Sequence, residues 1–194
     1  MAIINLTANI IDNVTKEAIE VCKSNSGICG MKLRAAHMQL GKNVGILIAA
    51  NEVKANFIAV IVMMRAGLPF ALGISDGLED ANKDVSVIFS TKEKPLPGDF
   101  DPQQFNLILL TDAVIRTGKE MIALADSIGS GHISFATNVL DKVGIPNFDS
   151  RTVYTVRVSE NSFVGTAQKT VSNAKGPDTG DRLFNSTFMK GNLL

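Results

Sequence analysis

Apolar and polar residues alternate along the chain in blocks rather than one by one. "TKEAIEVCK" reads as a short helix, and "MKLRAAHMQLGKNVGILIAANEV" from Met31 carries Leu33, Ala36, Leu40, Val44 and Leu47 at steps of three or four. Its second half, "VGILIAA", is equally a buried strand by pattern, and Gly41 and Gly45 each weaken a continuous helix by about 1 kcal/mol relative to Ala. "FIAVIVMM" is rich in branched apolar residues, as expected of a strand covered on both faces, "DVSVIFS" is a further apolar run, and "FNLILL" is the next strand. "GKEMIALADSI" places Met121, Leu124, Ala125 and Ile128 on one helical face, while "HISFATNVL" and "TVYTVRVS" supply two further strands. Strands alternating with helices predict an α/β domain with a mostly parallel sheet. The polar, proline-bearing "TKEKPLPGDFDPQQ" is a loop and a candidate lid. Residues 1–53 form a helical N-terminal region, and the tail after about residue 171 begins rich in turns.

Composition narrows the class. A chain of 194 residues, 45% hydrophobic, has enough length for one core without staples, so one domain over residues 1–194 is expected. Lys plus Arg and Asp plus Glu both number 19, giving no basic excess for nucleic acid. Cys22, Cys29, His37 and His132 do not assemble a zinc spacing, and two cysteines fit a reducing compartment. The N-terminus lacks the pattern of a signal peptide, so the glycosylation triplets at Asn5, Asn13 and Asn185 carry no weight. "FIAVIVMM" is too short to span a bilayer. A soluble, cytoplasmic protein without membrane or nucleic-acid partners is expected.

In parallel sheets, ligands bind beyond the carboxyl ends of the strands. Asp112, Arg65 and the Thr117-Gly118 turn all fall at such ends, and three segments are candidates. In "DAVIRTGKE", Asp112 follows a strand and Thr117-Gly118 opens a helix, so free amides and the helix N-terminus suit a phosphate while Asp112 suits sugar hydroxyls. The plainer alternative is a routine connection with Thr117 as helix N-cap. A Walker loop is excluded because Ala113 and Glu120 stand where it needs Gly and Ser or Thr. "GSGHIS" follows a helix, with Ser134 at the third glycine position, so it is a helix stop rather than a dinucleotide fingerprint. The second feature is Arg65-Ala66-Gly67, either a diphosphate contact or a surface arginine before a turn. The third is "GPDTGDRLF", otherwise a turn held by a salt link in the Asp181–Arg182 region.

Together, "DAVIRTGKE", "RAGLPF" and "PDTGDRLFNST" resemble, in order and spacing, motifs of the uracil phosphoribosyltransferases, members of the type I phosphoribosyltransferase superfamily. The corresponding family segments are Asp-Pro-Met-Leu-Ala-Thr-Gly-Gly-Ser, Arg-Ala-Gly-Leu-Gly-Met and Gly-Asp-x-Gly-Asp-Arg-x-Phe-Gly-Thr. The resemblance implies a type I phosphoribosyltransferase fold, with a small hood from terminal segments, including residues 171–194. It implies transfer of a phosphoribosyl group from 5-phosphoribosyl-1-diphosphate to a nucleobase, uracil giving UMP in pyrimidine salvage. By position, Asp112, Ala113, Val114, Ile115, Arg116, Thr117, Gly118, Lys119 and Glu120 would hold the 5′-phosphate and ribose. Arg65, Ala66 and Gly67, with Lys92 and Lys94, would meet the diphosphate. Pro177, Asp178, Thr179 and Gly180 would face the base. The resemblance also implies Mg²⁺ carried with the diphosphate rather than held by a direct protein site, no dedicated catalytic acid or base, and a homodimer or larger homo-oligomer.

Three departures accompany it. Lys92 and Lys94 replace a family loop arginine, and a lysine cannot copy arginine's bidentate fork. Pro177 stands where the family has a glycine and has no N–H to offer a base. The family's Ala-Ala-Pro-Glu-Gly segment is absent around "FATNVLDKVG". A relative that binds nucleotides without turnover, or one acting on another base, is the alternative.

Overall fold

The computed structural model describes residues 2–8, 12–129, 131–160, 169–171, 174–175 and 178–186. Five helices and eight strands are formed among them: β1 (Ala2–Asn5), α1 (Asn13–Cys22), α2 (Gly30–Asn51), β2 (Phe57–Met63), α3 (Leu68–Asp80), β3 (Asp84–Ser90), β4 (Leu107–Ile115), α4 (Lys119–Ile128), β5 (Ile133–Asp141), β6 (Thr152–Ser159), β7 (Lys169–Val171), β8 (Ala174–Lys175) and α5 (Thr179–Phe184). Six strands make one sheet in the order β1-β6-β5-β4-β2-β3, every pairing parallel. β7 and β8 pair antiparallel as a separate ribbon.

The apolar runs of β2, β4 and β5 become central strands because helices or packed segments cover both faces, while "DVSVIFS" becomes β3 at the edge. Val60, Val62, Leu107 and Leu109 meet Leu40, Val44, Phe70 and Ile74 of α2 and α3 on one face. Ile61, Leu110, Phe135 and Phe148 join Met121 and Leu124 of α4 on the other. The stretch "VGILIAA" is helical, completing the 22-residue α2. Its glycines are the reason α3 can lie so near. A Cβ on Gly41 would sit 2.1 Å from the Phe70 carbonyl oxygen, and one on Gly45 2.3 Å from that of Ile74. The reciprocal glycines of α3 are as tight: a Cβ on Gly73 would sit 2.0 Å from the Met38 oxygen, and one on Gly77 2.2 Å from that of Lys42. A helix propensity deficit is here exchanged for backbone-to-backbone packing.

The N-terminal region is not purely helical, since β1 adds parallel to β6. The β3–β4 connection is partly anchored: Phe100 stacks on Phe105 with ring centroids 5.9 Å apart, and both pack with Leu96 against the α4-side core. Most of its other residues are exposed.

Candidate active-site cleft

β4 is longer than the apolar run announces. It pairs with β2 only as far as Thr111, then continues beside β5 to Ile115. Asp112, Ala113, Val114 and Ile115 are therefore strand residues, and the loop proper is Arg116-Thr117-Gly118. Because β2 has already turned away, the last four of the nine β4 residues lack a paired neighbour on that side. The gap is a cleft of about 810 Å³ at the carboxyl edge of the sheet, bordered by Met63, Met64, Ser90, Thr91, Lys92 and Pro95 opposite Asp112 and the Arg116–Glu120 segment.

Side chains alternate along β4, so Ala113 and Ile115 are buried while Asp112 and Val114 reach the cleft. The Asp112 carboxylate accepts from its neighbour's amide, Ala113 N–H, at 2.7 Å. Burial pushes its pKa up to about 7, with the Glu120 charge adding to that and the Ala113 and Val114 amides opposing it. The shift favours the protonated form, which can donate as well as accept hydrogen bonds.

Gly118 caps α4 at φ 71°, a left-handed conformation that favours glycine, and no side-chain cap forms; Thr117 is not the N-cap. The first amides of α4 have no partner within the helix and point, with the positive end of its dipole, towards the cleft. Neighbouring residues hold this loop in shape. Asn147 Nδ2 donates to the Thr117 carbonyl at 3.0 Å, and a Cβ on Gly144 would lie 2.2 Å from the Arg116 oxygen. The Phe148 ring lies 2.2 Å from where a Gly118 Cβ would be. The segment Lys142–Phe148 is thus the loop's buttress, which sequence reasoning missed because its role rests on contacts some thirty residues away. Ser90, Thr91 and Pro95 were likewise missed; nothing in their sequence distinguishes them from strand-end residues.

The turn after β2 brings the second feature in. The Met64–Arg65 peptide is cis. Gly67 is pressed against β4: a Cβ there would lie 2.8 Å from the Thr111 carbonyl oxygen and 3.1 Å from Asp112 Cα. Arg65 Nη2 donates to Asp181 Oδ1 at 2.8 Å, Nη1 donates to Ser186 Oγ at 3.0 Å, and Ser186 Oγ donates to the same carboxylate at 2.7 Å. Asp181 and Arg182 do not hold one turn, as the sequence alternative had it. They diverge, and Arg182 donates to the carbonyls of Ile28 (2.9 Å) and Lys23 (3.1 Å) and to Ser26 Oγ (3.1 Å). Two adjacent residues thereby tie α5 both to the Arg65 turn and to the α1–α2 connection.

The remaining residues divide. Lys92 borders the cleft and reaches Glu120 Oε1 at 3.7 Å, whereas Lys94 lies outside the lining and its backbone closes a turn with Thr91. Asp178 caps α5 by accepting from Asp181 N–H at 2.7 Å, and Thr179 and Gly180 form the first turn of that helix. These three stand beside Arg65, with Gly180 3.5 Å (from its would-be Cβ) from Arg65 Nε, rather than in the cleft lining. Pro177 lies outside the described residues. Neither histidine is at the cleft. His37 is buried 3.5 Å from Asn138, and burial drives its pKa down to about 3; His132 is 3.7 Å from Glu52 at the opposite end of the sheet.

No family model matches this sequence, and no curated protein does. The fold does have relatives. Orotate phosphoribosyltransferase from Mycobacterium tuberculosis H37Rv, solved in complex with 5-phospho-α-D-ribosyl 1-diphosphate, superposes with a TM-score of 0.57 at 13% identity, over 79% of this chain and 94% of that one. Hypoxanthine phosphoribosyltransferase of Trypanosoma cruzi gives 0.52 at 15% identity, over 68% and 81% of the two chains. Hypoxanthine-guanine phosphoribosyltransferase from Leishmania tarentolae, in complex with GMP, gives 0.51 at 12%, over 72% and 84%. The chain is an α/β protein with the type I phosphoribosyltransferase fold. Among the described residues no helix is long and apolar enough to cross a membrane.

Proposed function

We propose that this protein transfers the phosphoribosyl group of 5-phosphoribosyl-1-diphosphate to a ring nitrogen of a nucleobase, releasing diphosphate, with uracil as the base and UMP as the product. The observation that carries the reading is the meeting at one cleft of the Asp112 carboxylate and the Thr117–Gly118 opening of α4, with the Arg65 turn, outside the cleft lining itself, locked onto β4 next to Asp112 through Gly67. The ligand in the mycobacterial complex supports the choice of donor.

In this reading the amides of Thr117 to Glu120 and the α4 dipole bind the 5′-phosphate, Asp112 holds the ribose hydroxyls, and Arg65 with Lys92 faces the diphosphate. As the bond to the leaving group stretches, positive charge grows on the sugar and negative charge on the diphosphate. Positioning and fixed charge lower that barrier, so no histidine is required. Among the described residues no three His, Cys, Asp or Glu side chains converge as a metal cage. In this reading a Mg²⁺ carried with the diphosphate would find the Asp112 and Glu120 carboxylates in the cleft lining. When bound, the ion would offset charge on the leaving group.

Lys94 standing outside the cleft favours a second reading, a nucleotide-binding relative without turnover. Diphosphate release from the donor with Mg²⁺ and a panel of bases led by uracil separates the two. The Thr117→Pro, Gly118→Val double variant serves as the control. Release with uracil that the control abolishes supports the full proposal. Release only with another base overturns the substrate. Donor binding without release for any base establishes the second reading.

A further inference from the structure

The proposed reaction gives Arg65 to the diphosphate, yet its guanidinium is bound elsewhere. Met63 and Met64 border the cleft and Arg65 does not. Both terminal nitrogens are taken by the α5 segment: Nη2 donates to Asp181 Oδ1 at 2.8 Å and Nη1 to Ser186 Oγ at 3.0 Å. Gly180 stands along the remaining edge, where a Cβ would lie 3.5 Å from both Nε and Nη2. The holder is itself anchored from the far side. Arg182 donates to the carbonyls of Ile28 and Lys23, and Arg34 Nη1 donates to the Leu183 carbonyl at 2.7 Å. Ser186 N–H closes onto the Asp181 carbonyl at 3.1 Å, and Ser186 Oγ donates to the Asp181 carboxylate at 2.7 Å. The two partners differ in freedom: the Asp181 side chain is 11% exposed and that of Arg65 45%. The short, buried carboxylate stays, and the long arginine is the member that can leave.

Given the donor proposed for this cleft, on which this inference rests, we propose that α5 is an autoinhibitory latch on Arg65. It opens when the donor's diphosphate takes the guanidinium over from Asp181 and Ser186. The exchange is one of hydrogen-bond partners, with no covalent step. A diphosphate offers the arginine two charged oxygens along one edge, a stronger match than one carboxylate oxygen and one neutral hydroxyl. Asp181 keeps the Ser186 hydroxyl once the arginine has gone, so opening strands no bare carboxylate in the interior. While closed, the latch scales the apparent donor affinity down to the fraction of molecules in which Arg65 is released. Only ligands that carry the diphosphate meet it. Ribose 5-phosphate has no diphosphate, so it engages the α4 amides and Asp112 alone and is blind to the latch.

Titration calorimetry with 5-phosphoribosyl-1-diphosphate and Mg²⁺, and separately with ribose 5-phosphate, tests it on the full chain. Asp181→Asn removes the charge that holds Arg65 and leaves the backbone N–H that Asp178 caps, so the donor should bind about fivefold more tightly. Ser186→Ala frees Nη1 alone and should tighten the donor about twofold, which keeps the test decisive even if the Asp181 variant misfolds. Arg65→Ala should weaken the donor about tenfold. Ribose 5-phosphate should bind all four proteins alike. Donor affinity that is unchanged or weaker in both α5 variants, while the wild type binds donor and Arg65→Ala does not hold it, overturns the latch and leaves the donor reading standing. Equal tightening of ribose 5-phosphate overturns it too, since α5 would then act on the whole cleft. No donor binding by any of the four proteins removes the donor reading and the latch with it.

Discussion

Replacing Gly73 by alanine separates local preference from tertiary packing, because the two predict opposite signs. Gly73 lies inside α3, where alanine is better than glycine by about 0.8–1.0 kcal/mol as a helix former. Its new Cβ would stand 2.0 Å from the Met38 carbonyl oxygen of α2, about 1.4 Å short of the ordinary contact distance of 3.4 Å. The obstacle is helix backbone and has no rotamer to change, so α2 and α3 must move apart. Overpacking of this kind costs about 1–3 kcal/mol. A gap of 0.5–1 Å also forfeits roughly a quarter to a half of the dispersion well at each contact left behind. Leu40, Val44, Phe70 and Ile74, all fully buried, lie on the two separating helices. Set against the propensity gain, a net destabilisation of about 2 kcal/mol is expected. Urea unfolding with a fixed m-value measures it. The Gly73→Ala, Gly77→Ala pair should lose less than the sum of the singles, since the first substitution has already parted the helices. A Gly73→Ala protein as stable as the wild type, or more so, would refute the close-packing argument.

Asp112 gives a pH signature. Its folded-state pKa is raised from 3.8 to about 7, so the folded protein holds a proton that the unfolded chain has lost across that window. Stability contributed by this group is present in full below the unfolded value and is lost as pH rises through the folded one. The whole shift corresponds to ~4 kcal/mol, and the open cleft side of the carboxylate reduces this to ~2 kcal/mol. Relative to Asp112→Asn, the wild type should therefore lose stability between about pH 4 and 7 and run parallel above it; equal slopes throughout would sink the assignment. Arg182, 6% exposed, is the other test. Arg182→Met strips the Ile28 and Lys23 carbonyls of their donor and should lower stability by ~2–4 kcal/mol in urea. A loss under ~0.5 kcal/mol would mean that α5 is held by other contacts.

Much of this protein is legible in one dimension. The buried strands announce themselves because covering both faces demands continuous apolar runs, and α4 because one face meets the core and the other meets solvent. Asp112, Thr117, Gly118 and Arg65 stand out only together and in order along the chain, since each alone also fits a routine turn or helix start. What the chain could not reveal by itself depended on partners distant in sequence. The glycines of α2 read as helix weakeners until α3 supplied their opposite numbers. β1 is too short to show a period, and its place comes from the edge offered by β6. Asp112 became a cleft carboxylate on a strand rather than a loop residue because β4 runs on beside β5 for four residues after its pairing with β2 stops at Thr111. The adjacent Asp181 and Arg182 suggested a mutual salt link, yet a helical turn points successive side chains about 100° apart, so each reaches a different segment. Periodicity records which face a residue presents, and that much is local. Which surface meets that face is decided only when the chain closes on itself.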